Sequence, residues 1–306
     1  MLLFSKKKIA AVVPFAWFAG GYMANSIDLS TSEKYLYDSD SVIPSSSLAV
    51  ARFCMASCGN AVGGIVSGGF SMIDQQQQAI TDKFNYATGV VSSGSDLSEP
   101  LEGQAAAGTV TAGLIAAGRN NSGIKLYSKW YTYSNDAMTP GANLITPRYL
   151  LGAVGNSSVG YFAGGYMKSG KSIILTGAAE TYVYSGNIVA SATSLNIARG
   201  FIGTCGNTTY GILAGGFNNV IDYSITEKFT YSTNTLTQVT SLSFPISCLA
   251  GAGNVEYAMF AGGDSAGAVS MQTIKHPYST EVYVSGTSLQ TSRANAAPLS
   301  STPGWV

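Results

Sequence analysis

The chain has 306 residues, of which 46% are hydrophobic and only 10% are charged, with sixteen basic residues balanced by sixteen acidic ones. This composition excludes a disordered chain and allows a large core. Because the net charge is zero, nothing favours binding to nucleic acid or to an anionic membrane surface, and we expect neither partner. Four cysteines without a CxxC pair and a single histidine give no support for a metal or haem site, so no cofactor is expected.

The N-terminal stretch MLLFSKKKIAAVVPFAWFAGG has the lysines, apolar run and small residues of a signal peptide. A second interpretation places residues 16–22 of this stretch in a strand, because they match a phrase that recurs later in the chain. No other apolar run approaches the roughly 20 residues of a membrane-spanning helix. We therefore expect no membrane insertion.

A glycine pair after apolar residues recurs through the whole chain. The copies are WFAGGY (17–22), IVSGGF (65–70), a divergent LIAAGR (114–119), YFAGGY (161–166), ILAGGF (212–217) and MFAGGD (259–264). Their second glycines are 48, 49, 47, 51 and 47 residues apart. This regularity indicates six internal repeats.

Two further phrases accompany the glycine pair. After it come SEKYLY (32–37), TDKFNY (81–86), SKWYTY (128–133), AETYVY (179–184), TEKFTY (226–231) and TEVYVS (280–285). Before it, four copies carry a Gly-Asn dipeptide, and three of these place an arginine seven residues ahead of that glycine. Short β-rich phrases bounded by Gly, Asn and Ser are typical of strands. Three or four strands in each of six repeats predict a β-propeller, with a linear β-solenoid as the alternative.

The arginine, the apolar–Gly–Gly phrase and the Glu-x-Tyr phrase together resemble the Kelch repeat, over about residues 16–293. The resemblance implies an all-β, six-bladed propeller with four-stranded antiparallel blades, in which the glycine pair closes the second strand and Glu-x-Tyr lies in the third. The Kelch tryptophan of the fourth strand is absent, and Val239 or Leu242 stands in its place. Phrases such as GNTTYGILAGGF also resemble Kelch-like proteins encoded by tailed bacteriophages.

The two ends of the chain fit a closed ring. We predict one propeller domain over residues 14–306, closed by pairing of the N- and C-terminal strands, and an N-terminal arm over residues 1–13. Closure removes exposed sheet edges. Residues 5–10 and 294–299 are both suited to the closing strand, and the sequence alone does not choose between them.

Residues that recur in the repeats are predicted to be architectural. Five acids share one repeat position: Glu33, Asp82, Glu180, Glu227 and Glu281. Four arginines share another: Arg52, Arg148, Arg199 and Arg293. We expect hydrogen bonds and ion pairs between or within blades, with an anion-binding arginine ring as the alternative. The cysteines stand where other copies have small apolar residues, which predicts packing roles.

The chain carries no strong enzyme motif, and we predict that it is not an enzyme. A glycosidase needs a pair of carboxylates, and Asp28, Asp74 and Asp222 in the loops after the glycine pairs leave that alternative open. These loops differ in length and sequence between copies, as binding loops on a rigid scaffold do. The candidate loop contacts are Asp28, Asp74, Arg119, Lys168, Asn218, Asn219 and Asp264.

The resemblance to phage proteins and the low charge favour a location in a virion. We predict a structural or attachment protein of a phage tail or fibre, within a larger assembly of other virion proteins. Its loops would recognise a glycan or protein of the host surface. The alternatives are an extracellular or cellular Kelch-type binding module and, third, a glycan-degrading enzyme.

Overall fold

Six antiparallel sheets, each with a path of four strands, form the framework of residues 13–302, the part of the chain that the computed structural model describes. The first strand of each sheet contacts the first strands of the two adjacent sheets, and these contacts close into a cycle of six. The sheets are therefore blades around one axis, with their first strands innermost. The predicted all-β six-bladed propeller is confirmed. The predicted N-terminal arm falls on residues 1–13, and residues 1–12 lie outside the described residues.

Each blade runs from its first strand at the axis to its fourth strand at the rim. In that order, blade 1 contains Ala297–Ser300, Phe15–Ala19, Ser32–Leu36 and Ser41–Ser45. Blade 2 contains Ala56–Gly59, Gly63–Ser67, Thr81–Asn85 and Val91–Ser93, and blade 3 contains Ala105–Gly108, Ala112–Ala116, Ser128–Thr132 and Ala137–Pro140. Blade 4 contains Gly152–Gly155, Val159–Ala163, Ala179–Val183 and Ile188–Ala192, and blade 5 contains Gly203–Gly206, Tyr210–Ala214, Thr226–Thr230 and Thr235–Val239. Blade 6 contains Ser247–Gly253, Tyr257–Ser265, Thr273–Pro277 and Val284–Gly286.

A small hairpin follows the glycine pair between the second and third strands of most blades. Four hairpins have two short strands: Tyr22–Met23 with Ile27–Asp28, Phe70–Ser71 with Gln76–Gln77, Arg119–Asn120 with Gly123–Ile124, and Tyr166–Ser169 with Ser172–Leu175. A 3-10 turn, Ala24–Ser26, connects the strands of the first. Blade 5 has a single bridge, Phe217 to Asp222, and blade 6 extends its second strand to pair with Ala268–Val269.

Blade 1 is assembled from both ends of the chain. Its innermost strand Ala297–Ser300 runs antiparallel to Phe15–Ala19, with Leu299 opposite Trp17. The C-terminal segment therefore supplies the strand that closes the ring, for which the sequence had left residues 5–10 and 294–299 as alternatives. All five residues of Phe15–Ala19 are buried, so this closure also completes the core at the junction of the two ends.

The hydrophobic core lies between adjacent blades rather than inside any one blade. An aromatic side chain on the third strand packs against the second strand of the preceding blade, because flat rings fill the space between two twisted sheets. Trp17 stacks on Phe84 with ring centroids 4.3 Å apart, and Tyr161 stacks on Phe229 at 3.7 Å. Each blade is thus stable only against its neighbours.

The third strand of blade 6 is not where the repeat phrase predicted it. The phrase TEVYVS (280–285) suggested this strand, but the strand is Thr273–Pro277, and Glu281 lies in the turn before the fourth strand. Thr273, Ile274 and His276 occupy the buried positions of the strand. The Glu281 carboxylate instead accepts a bond from Lys228 Nζ at 2.5 Å. The assignment of Glu281 to the shared acidic position was therefore wrong.

The four repeated arginines form buried ion pairs within their own blades. Their side chains have no solvent exposure, and the partners are Arg52–Asp82, Arg148–Glu180, Arg199–Glu227 and Arg293–Glu33 at 2.7–3.2 Å. Each arginine also donates to backbone carbonyl groups. Arg199 Nε, for example, donates to Gly215 O at 2.8 Å. The carboxylates accept backbone N–H groups of the segment that enters the blade. The architectural prediction is confirmed, and the alternative of an anion-binding arginine ring is wrong because no arginine of the four is accessible.

Two blades lack both the arginine and the carboxylate of this ion pair. Blade 3 has Leu101 at the arginine position and Lys129 at the carboxylate position, and blade 6 has Ile246 and Ile274. Ile246 and Ile274 belong to one buried apolar cluster. A buried charge without a partner is costly, whereas an apolar pair of similar volume is tolerated. Both partners are therefore absent together.

The glycine pair joins each blade to the next. The N–H of the second glycine donates to the carbonyl at the arginine position of the following blade in all six cases, for example Gly21 N to Arg52 O at 2.9 Å. The first glycine has φ of +63° at Gly20, and a Cβ there would lie 2.7 Å from Arg52 O. The close approach favours glycine at Gly20, whereas the left-handed backbone alone is compatible with alanine, since Ala117 occupies the equivalent position of blade 3 with φ of +64°.

We predict that Arg199→Ile destabilises the protein by about 3–5 kcal/mol, because it leaves the Glu227 carboxylate buried without its cation. The double variant Arg199→Ile/Glu227→Ile reproduces the natural Ile246–Ile274 pair of blade 6 and should recover more than half of that loss. Urea unfolding of the three proteins measures the difference. A double variant less stable than the single one would contradict this role of the pair.

We predict that Gly20→Ala costs about 2–3 kcal/mol more than Gly170→Ala. The two glycines have nearly the same left-handed φ, +63° and +60°, but nothing lies within 4 Å of a Cβ at Gly170. The pair of variants separates the close approach to Arg52 O from backbone strain alone. Equal unfolding free energies for the two variants would show that the close approach is unimportant.

Candidate ligand-binding face

One end of the axis carries all the hairpins that follow the glycine pairs, together with the segments that lead into the first strands. We call this end the hairpin face. Antiparallel pairing places the turns between first and second strands, such as the one at Val62, at the opposite face. The hairpin face therefore gathers the most variable parts of the six repeats on a rigid ring.

Six backbone bridges surround the axis on the hairpin face, and their residues form what we call the mouth. Each bridge joins the residue after a glycine pair to the residue before a first-strand segment. The bridges are Tyr22–Ala294, Phe70–Phe53, Arg119–Glu102, Tyr166–Tyr149, Phe217–Gly200 and Asp264–Ser247. Homologous positions of the repeats thus converge on one site with six different pairs of side chains.

A closed ring of backbone hydrogen bonds lies directly beneath the mouth. Its members each follow one residue of the mouth: Cys54, Gly103, Leu150, Phe201, Cys248 and Asn295. The N–H of each donates to the carbonyl of the equivalent residue in the preceding blade, at 2.7–3.3 Å, and the sixth bond closes the circle. All six residues have left-handed φ, between 51° and 65°. The ring holds the mouth residues at fixed positions around the axis.

Aromatic rings form most of the mouth wall. Tyr22, Phe53 and Phe70 make one continuous edge-to-face run, with centroids 5.3 and 5.8 Å apart. A second run contains Tyr149, Tyr166 and Phe201, at 5.4 and 6.0 Å. The rings of Tyr22, Phe53, Phe70 and Phe201 are half-buried and offer apolar faces to a ligand at low entropic cost, whereas Tyr149 and Tyr166 are each 6% exposed and pack within the wall.

The mouth has one cationic side chain and two acidic ones. Arg119 Nε donates to Glu102 Oε1 at 2.9 Å, and Nη1 donates to the Tyr149 hydroxyl at 3.2 Å. The guanidinium carbon lies 4.3 Å from the centre of the Tyr149 ring. On another side of the axis, the Tyr22 hydroxyl donates to Asp264 Oδ2 at 3.4 Å. Fixed hydrogen-bond donors and acceptors therefore stand among the aromatic rings.

The ionisable hydroxyl and thiol groups near the mouth are held in their neutral forms. Burial raises the pKa of Tyr22, with further contributions from Cys248 and Asp264. Burial also raises the pKa of Tyr166 to about 12 and that of Cys248 to about 12. These groups can donate hydrogen bonds at neutral pH, but they supply neither a thiolate nor a phenolate nucleophile.

The structure divides the candidate contacts into two groups. Arg119 and Asp264 lie in the mouth itself. The other five belong to the hairpins and turns around it: Asp28, Asp74, Lys168, Asn218 and Asn219. Asn219 Oδ1 accepts from the Tyr166 hydroxyl at 2.6 Å and so connects its hairpin to the mouth. Asp74 and Lys168 are exposed.

Asp28 and Asp222, two of the three carboxylates that left a glycosidase pair open, both accept a hydrogen bond from the backbone of a neighbouring hairpin. Asp28 Oδ2 accepts the backbone N–H of Met72, and Asp222 Oδ2 accepts that of Ala266 at 2.8 Å. Each bond ties one hairpin to the hairpin of the next blade. The two acids lie on different blades, 1 and 5, and each holds its neighbour in place.

Exposed aliphatic side chains mark the outer part of the hairpin face. Ile73 is 74% exposed and Val220 is 82% exposed. Further exposed examples on the hairpins are Ile27, Met72, Ile173, Ile174 and Ile221. The opposite face also carries exposed aliphatic side chains, at Val62, Val110 and Val255, so both ends of the ring present apolar groups to solvent.

Sequence reasoning missed the axis-side half of the mouth. Phe53, Glu102 and Tyr149 were not among the candidate contacts, although Phe53 and Tyr149 directly follow the repeated arginines. Their types differ between copies while the arginine is present in four of the six, and this variation beside an architectural residue was the available signal.

Two cavities are present, one along the axis and one on the side of the opposite face. One, of about 160 Å³, follows the axis between the first strands and is lined partly by Cys54, Phe201 and Cys248. The other, of about 470 Å³, lies between blades 2 and 3 near Lys83, Tyr131 and Asp136. The axial one is continuous with the hydrogen-bonded ring beneath the mouth.

Within residues 13–302, no cluster of three or more His, Cys, Asp or Glu side chains is arranged to bind a metal ion. The same part of the chain contains no helix with the length and hydrophobicity to cross a membrane. The cysteines at 54, 58, 205 and 248 are buried and unpaired with one another. Their predicted packing role is confirmed.

Comparison with known proteins identifies the fold. No protein-family model matches the sequence, and no curated protein matches it. The structure is similar to the solved structure of a protein named YjhT, with a TM-score of 0.67 over 81% of this chain and 87% of that chain. The two sequences are 10% identical. Similarity at this identity concerns the fold alone.

We predict that His276, the single histidine, makes the stability of the fold depend on pH. His276 is fully buried in the third strand of blade 6, its ring centroid 4.7 Å from that of Tyr283, and neither ring nitrogen has a hydrogen-bond partner in the described part of the chain. Burial lowers its pKa. Because the unfolded histidine binds a proton more readily than the folded one, its stabilisation is present above about pH 6.5 and is lost as the pH falls through the folded pKa.

We therefore expect His276→Phe, which copies Phe84 and Phe229 at the equivalent positions, to flatten the loss of stability between pH 7 and pH 5. The histidine contributes up to about 1.4 kcal/mol per pH unit in that window. Urea unfolding at several pH values measures both proteins. Parallel curves would show that His276 does not titrate on unfolding.

Proposed function

We propose that this protein is a non-enzymatic recognition module of a bacteriophage particle, of the tail or fibre type, and that its hairpin face binds a glycan on the host surface. The observation that carries the proposal is the mouth, where two runs of aromatic rings surround fixed hydrogen-bond groups on an otherwise weakly charged face. Aromatic faces that pack on sugar C–H groups, beside polar groups that fix orientation, are the usual basis of sugar recognition. The location in a virion rests on the resemblance of the repeats to phage Kelch-like proteins.

The side-chain arrangement supports binding rather than catalysis. Asp28 and Asp222 are occupied by backbone N–H groups of neighbouring hairpins, and Asp264 accepts from Tyr22. Glycosidases instead place two carboxylates on either side of the scissile bond. A cellular or secreted binding module with the same face is the alternative, and the genes that neighbour its coding sequence separate the two.

The test uses one substitution on each face. Val220→Arg and Val255→Arg change the same residue type at exposed sites, 82% and 72% exposed, on the hairpin face and the opposite face. Binding of purified protein to a panel of bacterial surface polysaccharides is measured for both variants. We expect Val220→Arg to weaken binding at least tenfold, because a large charged side chain blocks the face, and Val255→Arg to leave it unchanged.

Two results would overturn parts of the proposal. Loss of binding only in Val255→Arg would place recognition on the opposite face. Release of reducing sugar from a bound polysaccharide, abolished by Asp28→Ala or Asp222→Ala, would make the protein an enzyme. We also propose that the N-terminal arm, residues 1–13, docks the propeller to another virion protein. Incorporation into phage particles, followed with and without these residues, tests the virion location and this docking role.

A further inference from the structure

Arg119 is the only cationic member of the mouth. The equivalent positions of the other five blades hold Tyr22, Phe70, Tyr166, Phe217 and Asp264. Its side chain is 43% exposed, so the guanidinium is open to the solvent at the axis. The repeat that carries it, LIAAGR, is also the one that departs most from the glycine-pair phrase. Ring architecture needs no arginine at this position, since five blades are built without one.

The Arg119 side chain is held in place before any ligand arrives. Glu102 is 8% exposed in its side chain and accepts from both Arg119 Nε and Gln77 Nε2, the latter at 3.2 Å. The Tyr149 ring supports the guanidinium from one side. Ordering a free arginine costs roughly 2 kcal/mol of side-chain entropy. In this mouth the fold has already fixed the guanidinium, as a recognition site requires.

The guanidinium retains donors for a ligand. It has five N–H groups, and the hydrogen bonds within residues 13–302 use one on Nε and one on Nη1. The remaining donors, on the two Nη atoms, match the two oxygens of a carboxylate in a planar fork. The adjacent blade 2 contributes the half-buried rings of Phe53 and Phe70 to the same mouth.

The neighbouring acids limit the charge of the ligand. Glu102 neutralises Arg119 at close range, and Asp264 adds a second negative charge at the same mouth. A dianion such as a phosphate monoester would be repelled by these carboxylates, whereas a single carboxylate can share the fork at smaller cost.

We propose that the mouth binds the carboxylate of an acidic sugar, with Arg119 as the recognising residue and the half-buried rings of Tyr22, Phe53 and Phe70 as the surface for the sugar ring. This proposal rests on the proposed function, since it names the class of glycan that the hairpin face takes. The ligand is a polysaccharide unit with one carboxylate, such as a uronic acid.

The test compares a tetramer of galacturonic acid with its methyl ester, which removes the charge and keeps the sugar, and with sodium acetate, which keeps the charge and removes the sugar. Titration calorimetry on the full chain measures each. We expect the acid form to bind at least tenfold more tightly than the ester, and acetate to bind at least a hundredfold more weakly than the acid tetramer. In Arg119→Gln the acid and ester should bind equally.

Lys83→Gln is the matched control, because it removes the same charge from an ion-paired side chain that is 33% exposed and lies in the third strand of blade 2, outside the mouth, and it should keep the tenfold preference. Arg119→Lys, which keeps the charge but not the fork, should lose most of the preference. Thermal unfolding of each variant confirms folding.

A wild-type protein that binds acid and ester equally would overturn the carboxylate assignment while leaving glycan recognition intact. Retention of the preference in Arg119→Gln would overturn the role of Arg119. A protein that binds neither tetramer but binds another polysaccharide in the Val220→Arg test would reject the acidic ligand alone. Failure in both experiments would reject the proposed function as well.

Discussion

The molecule depends on hydrogen bonds that pass from each blade to the next and return to the first. Two circuits do this: the glycine-pair N–H groups that donate to the following blade, and the axial ring through Cys54, Leu150 and Asn295. Five of the six residues in the axial ring are not glycine, and each left-handed residue costs about 1–2 kcal/mol. Such strain persists only where the surroundings determine the backbone completely. In this ring the surroundings are five other blades in the same conformation.

This dependence separates the architectural residues from the functional ones. Arginine–carboxylate pairs and glycine pairs are used up in holding blades together, so they are inaccessible even though they dominate the repeat. The mouth, where we propose that a ligand binds, is built from the positions that these anchors leave free: the residue after each glycine pair and the residue after each arginine position. Because each blade contributes one such pair at the same distance from the axis, six unrelated side-chain pairs form one site. Arg119 and Glu102 lie beside the aromatic pairs of other blades only because the closed ring brings all six pairs together.

The sequence allowed prediction of what is local and repeated. The spacing of the glycine pairs correctly predicted six blades, the end of the second strand at Ala19, and the buried role of arginines such as Arg199. It could not choose the closing strand, because two terminal segments had suitable patterns and pairing across nearly 300 residues leaves no local mark. In blade 6 the Glu-x-Tyr phrase around Glu281 imitated the third strand, whereas the true strand around Ile274 had lost its carboxylate together with the arginine. The mouth was only half found, since Phe53 and Tyr149 become neighbours of the axis only when the ring closes.

Closure by the C-terminal strand has a consequence for the synthesis of the protein. The strand Phe15–Ala19, which is fully buried in the closed ring, is translated roughly 280 residues before its inner partner Ala297–Ser300. At ordinary translation rates of about 5–20 residues per second, roughly a quarter of a minute to a minute separates them. During that interval Trp17 and its neighbours have an open edge that can pair with the same strand of another nascent chain. The edge of Phe15–Ala19 therefore stays unpaired until the closing strand Ala297–Ser300 is in place, and nascent chains have to be kept apart during that interval.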